Sequence, residues 1–154
     1  MFRHFFIIFC GRFPSEKAAS LFVAKNCESF ADKGEKVVLL VPKRFDRVKS
    51  DPYKYYGIKN NFKIVYLPTL DLFFVPILDK IAFYVNFFIF SLFCFLYLLF
   101  RAKKKDIVYS NESLPIFFTS FVFSNTFYEL HDFPEKRLWF FKILFLKVRW
   151  LLIH

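Results

Sequence analysis

Residues 5–42, FFIIFCGRFPSEKAASLFVAKNCESFADKGEKVVLLVP, decide the fold. The run FFIIFC at 5–10 is apolar without alternation, the pattern of a strand covered on both faces, as in a parallel sheet. KVVLLVP, from Lys36, repeats the pattern. Between the two, Ala19, Phe22, Val23, Asn26, Cys27, Phe30 and Ala31 recur at spacings of three and four, which predicts a helix with one apolar face. Ser15 is the expected N-cap and Gly34 the expected C′ glycine. The stretch therefore reads as a strand–helix–strand unit, right-handed by the sterics of such crossovers.

Working outward, PKRFDRVKSDPYKYYGIKNN (42–61) reads as a basic surface loop. FKIVYLP (62–68), DIVYS (106–110) and TFYEL (126–130) read as third, fourth and fifth strands. LPIFFTSFVF (114–123) suits a short helix between the last two. The final stretch, 135–154, reads as a helix running into a further strand that barely begins. Strands alternating with helices predict an α/β fold, a Rossmann-like parallel sheet flanked by helices.

The segment 70–100 admits two readings. Residues 81–100 carry no charge and RAKKK follows, so by length the segment qualifies as a transmembrane helix with its C-terminal end in the cytoplasm. A true span would put the first three strands on the opposite side of the membrane from the last two. One sheet could not then form. We therefore expect a helix over about 74–100, packed on the sheet with its outer face in or near lipid. The expected location is cytoplasmic, peripheral or monotopic at the inner membrane face.

The chain has 154 residues, room for one domain with a real core. Its net charge of +10 suits an anionic partner, whether a phosphorylated ligand, an acidic membrane surface or nucleic acid. Its 27 Phe are discounted as a guide to function, because Lys, Tyr, Ile and Asn are frequent too, as in a biased genome. Cys10, Cys27 and Cys94 lie far apart in apolar stretches with no CxxC pair, and read as buried, reduced thiols. His4, His131 and His154 form no ligand cluster, so no metal site is expected. MFRHFFIIFCGRFP imitates a signal peptide, but its apolar core is short and no small-residue cleavage site follows.

Ligands in open α/β sheets bind outside the carboxyl ends of the strands. Three segments fall there: GRFPSEK after the first strand, SNES after the fourth and ELHDFP after the fifth. The first holds a single glycine, which excludes a dinucleotide fingerprint. A helix starting near Ser15 with Lys17 beside it could hold a phosphate, or simply be a capped helix with a solvated lysine. His131 could shuttle a proton, oriented by Glu129 and Asp132, or be an ordinary loop histidine. Tyr53, Tyr55 and Tyr56 interleave with Lys54 and Lys59, but no nucleic-acid motif accompanies them and no nucleic-acid partner is expected.

Taken together, FPSEKAASLFVAKNCESFADKGEKVVLLVPKR, DPYKYYGIKNNFKIVYLPTLD, DIVYSNES and YELHDFP, in that order, resemble the N-terminal domain of GT-B-fold glycosyltransferases, above all the retaining family-four enzymes. The resemblance covers nearly the whole chain. It implies the N-terminal half of a GT-B fold, in which two Rossmann-like domains face each other across a cleft. It implies transfer of a sugar from a nucleotide-diphosphate sugar, a donor substrate rather than a cofactor, to a lipid-linked or glycan acceptor at the membrane. It implies that His131, with Asp132 as a weaker candidate, contributes to catalysis, and that the loop Gly11 to Ser15, with Lys17, borders the donor phosphates. Many members carry a second glycine in that loop, where this chain has Arg12, Phe13 and Pro14. The family's donor-gripping pair of glutamates belongs to a second domain, and the chain stops at His154 before it. The expectation is thus an incomplete N-terminal domain over 1–154, inactive by itself. The alternatives are a non-catalytic membrane-associated subunit that recruits a donor-binding chain, and an unrelated single-pass membrane protein.

Overall fold

A computed structural model describes residues 3–44, 48–70, 79–130, 146 and 148–152. The two apolar runs become neighbouring strands. β1 (His4–Ile8) pairs in parallel with β2 (Lys36–Pro42), with Phe6 opposite Val38 and Ile8 opposite Leu40. On its other side β1 pairs in parallel with β4 (Ile107–Ser110), with Phe6 opposite Val108. β3 (Lys63–Leu67), β5 (Thr126–Leu130) and β6 (Arg149–Leu152) complete a six-stranded, all-parallel sheet in the order β3-β2-β1-β4-β5-β6. This is the Rossmann-like arrangement that the sequence predicts.

Alternation along each strand divides the core. Phe6, Ile8, Val38, Leu40, Val108, Tyr128 and Leu130 face one layer, where α3 (Asp79–Arg101) and α4 (Ser113–Ser120) supply Phe90, Cys94, Leu98 and Ile116. Ile7, Val37, Leu39 and Val41 face the other, where α1 (Ala18–Asp32) supplies Ala24 and Cys27. Both faces are covered, which explains the unbroken apolar runs. All three cysteines are free and buried.

α1 departs from expectation at its start. Its N-cap is Lys17, without a side-chain cap, and Ser15 lies outside the helix. Ser15 instead closes the preceding loop: its hydroxyl bonds Ser20 Oγ at 2.8 Å, and Ser20 Oγ donates to the carbonyl of Arg12 at 2.9 Å. The buried face is also rotated. Ser20, Ala24 and Cys27 are its buried residues, while Phe22 is half exposed. A hydroxyl used in the loop network can lie on the buried face, which apolar spacing alone does not reveal. The C-terminus ends as predicted: Gly34 has φ +87°, its N–H donates to Ala31, and the N–H of Glu35 donates to Phe30, a Schellman pair.

The stretch 42–61 is not a plain loop. It holds α2 (Pro52–Tyr56), capped by Asp51, whose carboxylate accepts from Lys54 N at 3.1 Å, and ended by Gly57 in the left-handed region. Asp–Pro at the start and Gly at the end are standard helix punctuation. Tyr53 OH donates to the carbonyl of Phe62 at 2.6 Å. Tyr56 OH accepts from Ser15 N and donates to Ser15 O, so two of the three tyrosines tie loops together.

α3 packs on the same sheet to which β1–β3 and β4–β5 belong. Ala82, Asn86, Phe90, Cys94 and Leu98, four residues apart, are buried. Phe83, Tyr84, Phe88, Leu92, Leu96, Leu99 and Phe100 lie exposed on the opposite side. Ala82–Arg101 has a mean hydropathy of 2.2 and is long enough to cross a membrane by length and composition. Beyond α3, the buried Asp106 accepts from His4 N at 2.9 Å and Lys103 N at 2.8 Å, pinning the amino end of β4 to β1. The further strand expected at the chain's end is β6. The helix expected before it, from residue 135, falls mainly on 135–145, outside the described residues.

Candidate functional site

β1 and β4 are neighbours, and the connection from β1 leads to β2 while that from β4 leads the other way to β5, so a crevice opens between them at the carboxyl ends of the strands. There lies a cavity of about 620 Å³. The β1–α1 loop contributes Gly11, Arg12 and Ser15 through Lys17; the β2 end contributes Arg44; the β4 end, Glu112; and α3, Phe83 and Phe87.

The loop is held by identifiable contacts. Phe13 is fully buried against Tyr56, with ring centroids 5.4 Å apart. Ser15 is bound through its backbone N–H and C=O to Tyr56 and through its hydroxyl to Ser20. Its polar groups therefore point into the loop's own network. At Gly11, a Cβ would collide with the ring of Phe9, which packs across the glycine on the cavity wall. Glycine here makes room for an aromatic ring.

Lys17 is exposed at the N-cap of α1, a helix with no acidic residue in its first turn. The positive helix end and three cationic side chains thus meet around the cavity, against Glu16 and Glu112. Burial pushes the Glu112 carboxyl above its ordinary value, opposed by the charge of Arg44. Burial, reinforced by the charge of Glu112, pushes the Cys10 thiol well up. Cys10 is therefore a protonated wall residue at neutral pH and no nucleophile.

Glu129, at the end of β5, is buried and accepts a hydrogen bond from Tyr109 OH of β4, a structural role. His131 and Asp132 follow directly and lie outside the described residues. Among the described residues no three His, Cys, Asp or Glu come together as metal ligands.

The structure thus gathers Gly11, Ser15 and Lys17 on one cavity wall and adds Arg12, Arg44, Glu112, Phe83 and Phe87. Arg44 and Glu112 were reachable from the rule about carboxyl ends, since each closely follows a strand. The two phenylalanines gave no sign, being two of many in an apolar helix. No family model matches the chain, and no curated protein matches it.

Proposed function

We propose that this chain is the N-terminal, acceptor-side domain of a glycosyltransferase built from two facing Rossmann-like domains. The enzyme transfers a sugar from a nucleotide-diphosphate sugar to a membrane-associated lipid or glycan acceptor. One observation carries the reading. Two of the segments on which the resemblance rests, FPSEK after β1 and SNES after β4, supply walls of a single cavity at the sheet's switch point, and the arginine ending the first segment, Arg44, supplies a third. A facing domain would bring the sugar nucleotide to that opening. Catalysis would then come from holding donor and acceptor together, with His131 and Asp132, which follow β5 in the sequence, as the candidate catalytic groups. The exposed apolar face of α3, followed by Arg101, Lys103, Lys104 and Lys105, supports peripheral attachment to an anionic membrane surface.

The test is a radiolabelled transfer assay on membrane lipids, with this chain fused to, or mixed with, a nucleotide-sugar-binding domain. Transfer is expected in that setting and not from residues 1–154 purified alone. Micromolar binding of a nucleotide sugar by the lone chain would overturn the division of labour between the domains.

A further inference from the structure

We infer that the cavity is a subsite for a phosphate ester whose organic part is apolar, the phosphate lying by Arg12, Lys17 and Arg44 and the apolar part against Phe83 and Phe87. The inference deepens the reading above, on which it rests only for the ligand's role as acceptor.

The cationic wall is built from two separate connections, the β1–α1 loop and the segment after β2, and meets the N-terminus of the fifteen-residue helix α1. Backbone N–H groups at a helix start, with guanidinium and ammonium groups beside them, are the combination that phosphate oxygens require. A carboxylate ligand would also satisfy charge, but it offers fewer acceptor oxygens to donors arriving from several directions. The two acids of the cavity do not cancel this wall. Glu16 is exposed, and with Glu112 it stands against three cationic side chains and the positive end of α1.

The apolar wall is equally specific. Phe83 and Phe87 lie one helical turn apart with their rings nearly parallel, centroids 6.0 Å apart and planes 9° apart. Phe83 is 49% exposed, and its surface continues into Tyr84 and Phe88 on the outer side of α3. A ligand that reached these rings from the phosphate end would extend along an exposed apolar helix, not into water. That continuity favours an aliphatic chain over a nucleoside, whose ribose would face the same apolar surface.

Dodecyl phosphate, below its aggregation concentration, is the probe, and titration calorimetry on the full chain is the measurement. Binding is expected, with inorganic phosphate and dodecanol each at least tenfold weaker. The double substitution Arg12→Gln/Lys17→Gln should weaken dodecyl phosphate at least tenfold. Phe83→Ser, at an exposed position, should weaken dodecyl phosphate at least threefold and leave inorganic phosphate unchanged. Vesicles of phosphatidic acid separate the two sources of the ester. If the double substitution also weakens binding to these more than to phosphatidylcholine, the site takes a lipid headgroup; if it weakens the soluble ester alone, the site takes a free phosphate ester. Either result supports the subsite. Equal affinity for dodecanol, equal affinity for inorganic phosphate, preference for uridine monophosphate, or no binding of dodecyl phosphate by the folded chain would each overturn it. Binding without sugar transfer in the two-domain assay would keep the subsite and remove the glycosyltransferase reading.

Discussion

The outer face of α3 offers the most quantitative test of membrane attachment. Leu92, Leu96 and Leu99 lie on one side of the helix, 39%, 39% and 41% exposed. Burying a whole leucine side chain is worth about 1.5–3 kcal/mol. Scaled by those exposures, the three together contribute about 2–4 kcal/mol if the face enters the acyl region. At a factor of ten for every ~1.4 kcal/mol, replacing all three by glutamine should lower partitioning onto vesicles about 30-fold to several hundred-fold. Glutamine is a good helix former, so the helix itself survives the change. Co-sedimentation with uncharged vesicles isolates this term. Vesicles with anionic lipid add the basic residues 101–105, whose share falls as salt shortens the reach of charge. Circular dichroism should be unchanged. Undiminished partitioning by a folded triple variant would refute the reasoning, because it would mean that protein, not lipid, covers this face.

Asn86→Leu should raise stability. The buried amide has no hydrogen-bond partner among the described residues, leucine keeps its branching, and removing an unsatisfied polar group is worth about 1–3 kcal/mol, or roughly 2–4 °C in Tm for each kcal/mol. A lower Tm in calorimetry would show that the amide holds a partner such as a bound water. Glu112→Gln should be more stable than the parent at neutral pH, because burial raises the native carboxyl above the unfolded value of 4.5 and ionisation therefore costs native stability. The gap should open as pH rises from about 4.5 and close below it in urea titrations, with Arg44, Cys10 and Tyr128 as the surrounding titratable or charged groups. His131→Ala, in the two-domain enzyme, should lower turnover by at least about 10², the usual worth of one positioned acid–base group, and unchanged turnover would reduce His131 to a loop residue.

Most of the fold was legible because its strands are buried on both faces and therefore unbroken. FFIIFC and VVLLV have no polar residue to mislead, and the sheet pairs them as read. The start of α1 was misread for a related reason. Ser15 has the right chemistry for an N-cap, but its hydroxyl is engaged by Ser20 five residues later, a tertiary choice that local propensity does not encode. α2 was missed although Asp51, Pro52 and Gly57 mark both its ends, because five residues carry no period. At the site, Lys17 could be found as a residue type in a loop. Phe83 and Phe87 could not, since within α3 every face is apolar and only packing distinguishes the cavity wall from the sheet-facing stripe.

That uniform apolarity has a geometric consequence. α3 leaves the carboxyl end of β3 and returns to the amino end of β4, and the two strands are parallel, so the helix runs against the strand direction. Its first turns reach the cavity through Phe83 and Phe87, and its last turn leads to Lys103, bonded to Asp106 at the far end of the sheet. Twenty-three residues make a rod about 35 Å long. On the peripheral reading proposed above, the helix stays packed on the sheet through Phe90, Cys94 and Leu98, and crossing a bilayer would draw the sheet in with it. Backbone edges and polar loops forbid that. If the outer side meets lipid, the helix lies along the membrane, the strands lie parallel to its plane, and the cavity opens at the level of the headgroups. The same arrangement puts the cationic wall where a phosphate at the water–lipid boundary would be met, while the chain it carries stays against phenylalanine.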